Sequence, residues 1–262
     1  MKVGSLFSGI GGFDLGLERA GMEIAWQVEI DDYCRKVLAK HWPNVPRYGD
    51  IRECRNLGAV DLVCGGFPCQ PFSTAGKQSG KEDHRYLWPE MLRVIQDTKS
   101  RWVIGENVPG IIHLELDNVL SDLEGIGYAT WTAIIPAVGV DARHKRDRVW
   151  IVAYSESNGN MREPGDVRKT NGGSWEPLQR FADRASNVSD SNGSGFKEQR
   201  STFAAHEEHE TIERRCQWEP EPGMGRVAYG ISHRVDRVKG LGNAVVPKIP
   251  EIFGRLILEI EN

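Results

Sequence analysis

The stretch Val60-Asp61-Leu62-Val63-Cys64-Gly65-Gly66-Phe67-Pro68-Cys69-Gln70-Pro71-Phe72-Ser73 decides the fold class. Val60 to Cys64 is a short apolar run and reads as a buried strand. Gly65 and Gly66 end it, and Pro68 and Pro71 stiffen the loop beyond. Cys69 is thereby presented on a loop just past the carboxyl end of a strand, where open α/β sheets bind ligands. A cysteine so placed is a nucleophile when its pKa is lowered or its target is held close. The competing reading is a small buried hydrophobe.

Outward from this stretch, strands and helices alternate. Lys2 to Phe7 reads as a strand that runs into Ser8-Gly9-Ile10-Gly11-Gly12 and a helix over Asp14 to Ala20, stopped by Gly21. Further strands are expected at Ile24 to Glu29, Tyr48 to Ile51, Trp102 to Gly105, Ala129 to Ile135 and Val149 to Tyr154. Helices are expected at Asp32 to His41, Trp88 to Asp97, Val119 to Ile126 and Lys248 to Ile260. The alternation predicts a mostly parallel sheet with helices on both faces. From Ser155 to Arg215 the chain is rich in Ser, Asn, Gly and charge, which predicts loops and partial disorder, with one helix near Ala204 to Arg215.

The 262 residues suffice for one large domain or one domain with a small insert. A formal net charge of −4 gives no global support for nucleic-acid binding, so such a role must use local basic patches. Five widely spaced cysteines argue against a disulfide framework, and the lack of a CxxC pair argues against a zinc site, so no metal is expected. No signal peptide or membrane-length apolar run is present, and a reduced cytoplasmic compartment is expected.

Four further stretches carry chemistry. The glycine turn lets a ligand approach backbone at a helix N-terminus, although Asp14 stands where the third glycine of a dinucleotide fingerprint belongs. Glu29 lies about twenty residues on, where an acid can bind ribose hydroxyls. Asp50, at the third strand end, can accept from an adenine amine. Singly each acid is also a solvated strand end, but three such features at successive strand ends point to an adenosine-containing cofactor. Gly105-Glu106-Asn107-Val108-Pro109 places a carboxyl group near the Cys69 loop, where closure raises its pKa and lets it donate a proton or hydrogen bond. In Arg143-His144-Lys145-Arg146-Asp147-Arg148, strand alternation points Arg146 and Arg148 to the same side, suited to a base carbonyl, phosphates or the catalytic loop. Gly240-Leu241-Gly242-Asn243-Ala244-Val245-Val246-Pro247 precedes the last helix and can close a pocket.

Together and in this order, Phe7 to Gly12, Pro68-Cys69-Gln70, Glu106-Asn107-Val108, Arg146-Asp147-Arg148 and Gly242 to Val246 resemble the motifs of the DNA cytosine-5 methyltransferases. The compact phage and restriction-type members are the most similar. The match covers roughly the first 155 residues and the last 30. His144 and Asp147 depart from the family's usual Gln and Glu. The resemblance implies a class I S-adenosylmethionine-dependent, Rossmann-like fold. Its catalytic domain would be 1–155, its small target-recognition region 156–235, and its returning segment 236–262. It implies catalytic roles for Cys69, Glu106, Arg146 and Arg148. It implies cofactor contacts by Phe7, Gly9, Gly11, Glu29, Asp50, Ile51, Leu87, Asn243 and Val245, and substrate contacts by Pro68, Gln70, Ser73 and Asn107.

The implied partner is double-stranded DNA, with a cognate restriction endonuclease as a further candidate, in a bacterial cell or phage-infected host; a monomer is the simplest state. Ser73 to Lys81, with Gly76 and Gly80, is expected to act as a lid, with Lys77, Lys81 and Arg85 near phosphates. Arg226, Arg234, Arg237 and Lys239 are candidates for the DNA backbone. A tRNA cytosine methyltransferase of the same fold would share these motifs, but the Cys-Phe-Thr signature associated with that branch is absent, which favours DNA. A DNA-binding protein without catalysis is disfavoured by the intact Cys69, Glu106 and arginines, and a nicotinamide oxidoreductase by the missing GxGxxG.

Overall fold

The computed structural model describes residues 1–68, 86–142, 144–155, 177, 180–181 and 240–262. In chain order the elements are β1 (Lys2–Leu6), α1 (Gly12–Ala20), β2 (Glu23–Val28), α2 (Asp32–His41), β3 (Arg47–Tyr48), β4 (Leu62–Gly65), α3 (Trp88–Thr98), β5 (Trp102–Asn107), α4 (Ile111–Leu114), α5 (Leu116–Gly125), β6 (Ala129–Pro136), β7 (Asp147–Tyr154) and α6 (Lys248–Glu261). The strands form a seven-stranded sheet in the order β3-β2-β1-β4-β5-β7-β6. The apolar run around Leu62 is thus its central strand. β1 to β5 pair in parallel. β7 lies antiparallel between β5 and β6. The chain winds one way from β1 to β3 and the other way from β4, so a crevice opens beyond the carboxyl ends of β1 and β4.

Strict alternation sorts the core onto the two faces. Leu62, Cys64, Trp102, Ile104, Trp150 and Val152 face α1 and α6, where they meet Phe13, Leu17, Phe253 and Ile257. Val63, Val103 and Ile151 face the other way, onto Trp88, Met91 and Ile95 of α3 and Val119 of α5. Phe181 joins the first cluster, fully buried against Trp131 and Phe253. The helix on the first face comes from the far end of the chain and fits through small residues. A Cβ on Gly16 would lie 2.3 Å from the Pro247 carbonyl oxygen, and one on Gly254 would lie 2.7 Å from Ala20 Cβ. The Glu261 carboxylate pins the end of α6 by accepting from Arg101 Nη1 at 2.8 Å and Trp102 Nε1 at 2.9 Å.

The expected elements are present with shifted ends. α2 has the expected bounds, with Asp31 capping it by accepting from the Tyr33 and Cys34 amides. β5 runs past Gly105 to Asn107 because β7 pairs with it, Glu106 opposite Trp150 and Asn107 opposite Val149. β3 is shorter than expected: Gly49 and Asp50 have left the sheet and Ile51 lies in a turn. α5 begins at Leu116, ahead of the expected Val119. The helix expected near Ala204 to Arg215 lies outside the described residues. Among the described residues no helix is long and apolar enough to cross a membrane.

Candidate active site

A cavity of about 870 Å³ opens at the crevice. Its first wall is the glycine turn. Phe7 and Gly9 line it, both in the left-handed region with φ 51° and 54°. Glu29 stands at the end of β2, buried, with both carboxylate oxygens engaged: Gly9 N–H donates at 2.7 Å and Asp31 N–H at 2.8 Å. The carboxylate is therefore held rigid against the turn, and its remaining lone pairs are available to a ligand hydroxyl. Asp50, Ile51 and Leu87 line the same cavity. Asp50 is occupied by Arg52, whose Nε lies 2.9 and 3.0 Å from its two oxygens. That hydrogen bond holds its pKa below the ordinary carboxylate value.

Beneath the turn lies a closed polar network. Asp14, wholly buried, accepts from Gln27 Nε2 at 2.7 Å and Ser5 Oγ at 3.0 Å, and Ser5 is bonded to Ser8. Burial pushes the Asp14 carboxyl up to about 6, against the pull of those hydrogen bonds. The residue that breaks the dinucleotide pattern thus braces the turn from below instead of facing the cavity.

The second wall comes from β4, β5 and β7. Glu106 is 9% exposed, and Arg148 Nε lies 2.8 Å from its Oε1. Burial pushes the Glu106 pKa up, while the Arg148 and Arg146 cations pull it down. Gly66 gives this carboxylate its room, since a Cβ there would sit 2.9 Å from Glu106 Oε2. Asn107 lines the cavity but spends its side chain on backbone. Its Nδ2 donates to the Phe67 carbonyl at 2.9 Å, and its Oδ1 accepts from the Val108 amide. It thus fixes the chain immediately before Pro68, which also lines the cavity. Arg146 and Arg148 both face the cavity, but strand alternation is not the reason: β7 begins at Asp147, and Arg146 precedes it with a left-handed φ of 35°.

The third wall is the returning segment. Asn243 lines the cavity. Gly11 and Val245 are not among its lining residues. Gly11 has φ 89° and backs onto Trp42, where a Cβ would sit 2.4 Å from the ring. The Val245 carbonyl lies 2.5 Å from where a Cβ on Gly12 would be, so these two positions seat the segment on α1. Cys69, Gln70, Ser73, the lid with Lys77, Lys81 and Arg85, and the basic residues Arg226, Arg234, Arg237 and Lys239 lie outside the described residues.

Sequence reasoning missed Ile30, Arg52 and Gly66, all of which line the cavity. Ile30 is 63% exposed, an apolar residue held in the open beside Glu29. Its place directly after an acidic strand end was a usable signal. The opposite charges of Asp50 and Arg52, two residues apart, were the local signal for their pairing. Among the described residues no cluster of His, Cys, Asp and Glu is suited to a metal ion.

Comparison with known proteins gives one consistent answer. Residues 1–244 match the family model of the C-5 cytosine-specific DNA methylases. The type II methyltransferase M.HgiCII of Herpetosiphon aurantiacus is 36% identical over 162 residues, 59% of this chain and 37% of its own. M.HhaI of Haemophilus parahaemolyticus is 31% identical over 156 residues, 57% of this chain and 47% of its own. A solved protein from an E. coli prophage, described by assignment only as a DNA modification methyltransferase, superposes with a TM-score of 0.52 and 26% identity. It covers 59% of this chain and 47% of its own. Spodoptera frugiperda DNMT2, at 22% identity and a TM-score of 0.51 over 64% of this chain and 53% of its own, shares the fold. The chain spans about half or less of the length of these curated relatives.

Proposed function

The chain belongs to the C-5 cytosine-specific DNA methylase family, and from that premise we propose that it methylates C5 of a cytosine flipped out of duplex DNA, with S-adenosylmethionine as methyl donor. The observation that carries this reading is that Glu106, buried and paired with Arg148, shares one cavity with the glycine turn and the rigid Glu29. The cavity suits the cofactor: Gly9 offers close backbone approach, Glu29 a fixed acceptor for ribose hydroxyls, and Ile30 and Ile51 apolar surface for a purine. Asn243 closes the amino-acid end. S-adenosylmethionine, when bound, supplies the electrophilic methyl group.

Cytosine C5 is too weak a nucleophile to react unaided. Cys69, the residue after Pro68, is assigned as the nucleophile that adds to C6 and makes C5 enamine-like. Glu106 holds a proton at N3 and stabilises the charge that develops on the ring. Its burial favours the protonated form that this role needs. Arg148 orients Glu106 and presents its remaining N–H groups to the base O2. After C5 is methylated, loss of its proton restores the ring and expels the Cys69 thiolate. Asn107 keeps the chain before Cys69 in place through the Phe67 carbonyl. A base stacked in a duplex cannot reach this cavity, so the target is flipped. Residues 156–235 are assigned to target recognition and the chain to a monomer. A cognate restriction endonuclease is the partner that the type II relatives suggest.

Bisulfite sequencing of a methylation-free bacterial host expressing the chain, beside a Cys69→Ala control, tests this. Cytosines protected in one fixed sequence context, and absent from the control, are expected. Soluble protein with no protected cytosine overturns the DNA assignment.

A further inference from the structure

Arg146 shares a left-handed backbone with Phe7 and Gly9 of the same cavity, but its partners set it apart. Its φ is 35°, in the left-handed region where a side chain is strained and surrounding structure must hold it. Its guanidinium reaches across to the returning chain: Nη1 donates to the Gly242 carbonyl at 2.7 Å and Nη2 to the Ala244 carbonyl at 2.9 Å. These carbonyls flank Asn243, which lines the cofactor end of the cavity. The same segment is seated on the glycine turn and on α2. A Cβ at Gly240 would lie 3.2 Å from Ile10 Cγ2 and 3.6 Å from the Tyr33 ring. Two residues along the chain, Arg148 pairs with Glu106, which lines the same cavity. One short piece of chain at the start of β7 therefore carries both the ion pair that faces the base and the fork that holds the segment closing over the cofactor.

We propose that Arg146 is a positioning residue that ties the segment 240–245 to the base-facing end of β7, so that occupancy of the cofactor end and of the cytosine end of the cavity favour one another. The inference rests on the function proposed above. Its physical basis is the planar fork of arginine, which can bridge two carbonyls at once, whereas a lysine ammonium holds one point. Because coupling between two sites is reciprocal, cofactor that orders Asn243 also orders Arg146 and its neighbour Arg148, and a bound base acts in return on the cofactor.

The test uses the full chain and S-adenosylhomocysteine, titrated calorimetrically into wild type, Arg146→Lys, Arg146→Ala and Arg148→Lys. Wild type and Arg148→Lys are expected to bind alike, while both Arg146 variants bind about tenfold more weakly, the size of a lost charge-assisted hydrogen bond. On a duplex carrying the methylated sequence, Arg146→Lys raises the cofactor KM with little change in kcat, and Arg148→Lys lowers kcat. Adding that duplex tightens S-adenosylhomocysteine binding in wild type and no longer does so in Arg146→Lys. Arg146→Lys is the milder change and carries the test if Arg146→Ala does not fold. Folded Arg146→Lys that binds S-adenosylhomocysteine like wild type and keeps the gain from duplex overturns the proposal. Wild type that binds none overturns the assigned function itself, and that arm is read before any variant.

Discussion

At Glu106 two effects oppose each other, and burial outweighs the neighbouring cations, so the carboxyl keeps its proton above the ordinary carboxylate range. This direction sets the sign of the pH dependence. A role that needs the protonated acid is complete below the folded pKa and lost as pH rises through it. Glu106→Gln, which cannot ionise, is expected to remove that alkaline limb from the pH profile of single-turnover methylation and to lower the rate by about 10²-fold. Arg148→Ala removes the nearest cation, so the Glu106 pKa rises further and the limb moves to higher pH while the rate falls. A limb unmoved by Arg148→Ala would detach it from Glu106. At this scale the sequence was legible where a residue sits at a strand end, as with Glu29 and Glu106. It was opaque where a side chain is spent on a neighbour. Nothing local marks Asn107 as the partner of the Phe67 carbonyl, 40 residues away in sequence.

At the element scale, the packing of α1 against α6 helps to position the site. Gly16 sits inside α1, where alanine is favoured over glycine by about 1 kcal/mol of helix propensity. Its Cβ would nevertheless lie 2.3 Å from the Pro247 carbonyl and 2.7 Å from Pro250 Cγ, both parts of a stiff segment. Overpacking of that kind costs about 1–3 kcal/mol, so it outweighs the propensity gain. Gly16→Ala is expected to lower the melting temperature, and S-adenosylhomocysteine affinity with it, because the displaced segment carries Asn243. Gly125, at the end of α5 with open space where its Cβ would go, is the control. Gly125→Ala is expected to hold or slightly raise the melting temperature in the same calorimetric series. Element bounds were legible wherever periodicity and caps agree, as in α2. They slipped at β3 and β5, whose lengths depend on partner strands.

For the molecule as a whole, α6 closes a core that the first 155 residues leave open. Ile249, Phe253 and Ile257 are buried on the same face as Trp102 and Trp150. Phe181, from a region expected to be loop-rich, is buried with them. A chain ending at residue 239 is therefore expected to aggregate or to lose its cooperative thermal transition. The peptide 240–262 supplied in trans should restore solubility and S-adenosylhomocysteine binding; a soluble, cooperatively melting truncation would show that the core closes without it. The sequence by itself determined the inventory: which runs are strands and helices, where the chain turns on glycine, and which chemical groups stand at strand ends. Those are properties of local periodicity and residue chemistry. Tertiary structure alone decided which groups meet. The antiparallel register of β5 and β7 brings Arg148 to Glu106, and the return of the C-terminal chain brings the Gly242 and Ala244 carbonyls to Arg146 across 96 and 98 residues of sequence. Such pairings depend on strand order and on helix packing through small residues, which no local pattern encodes.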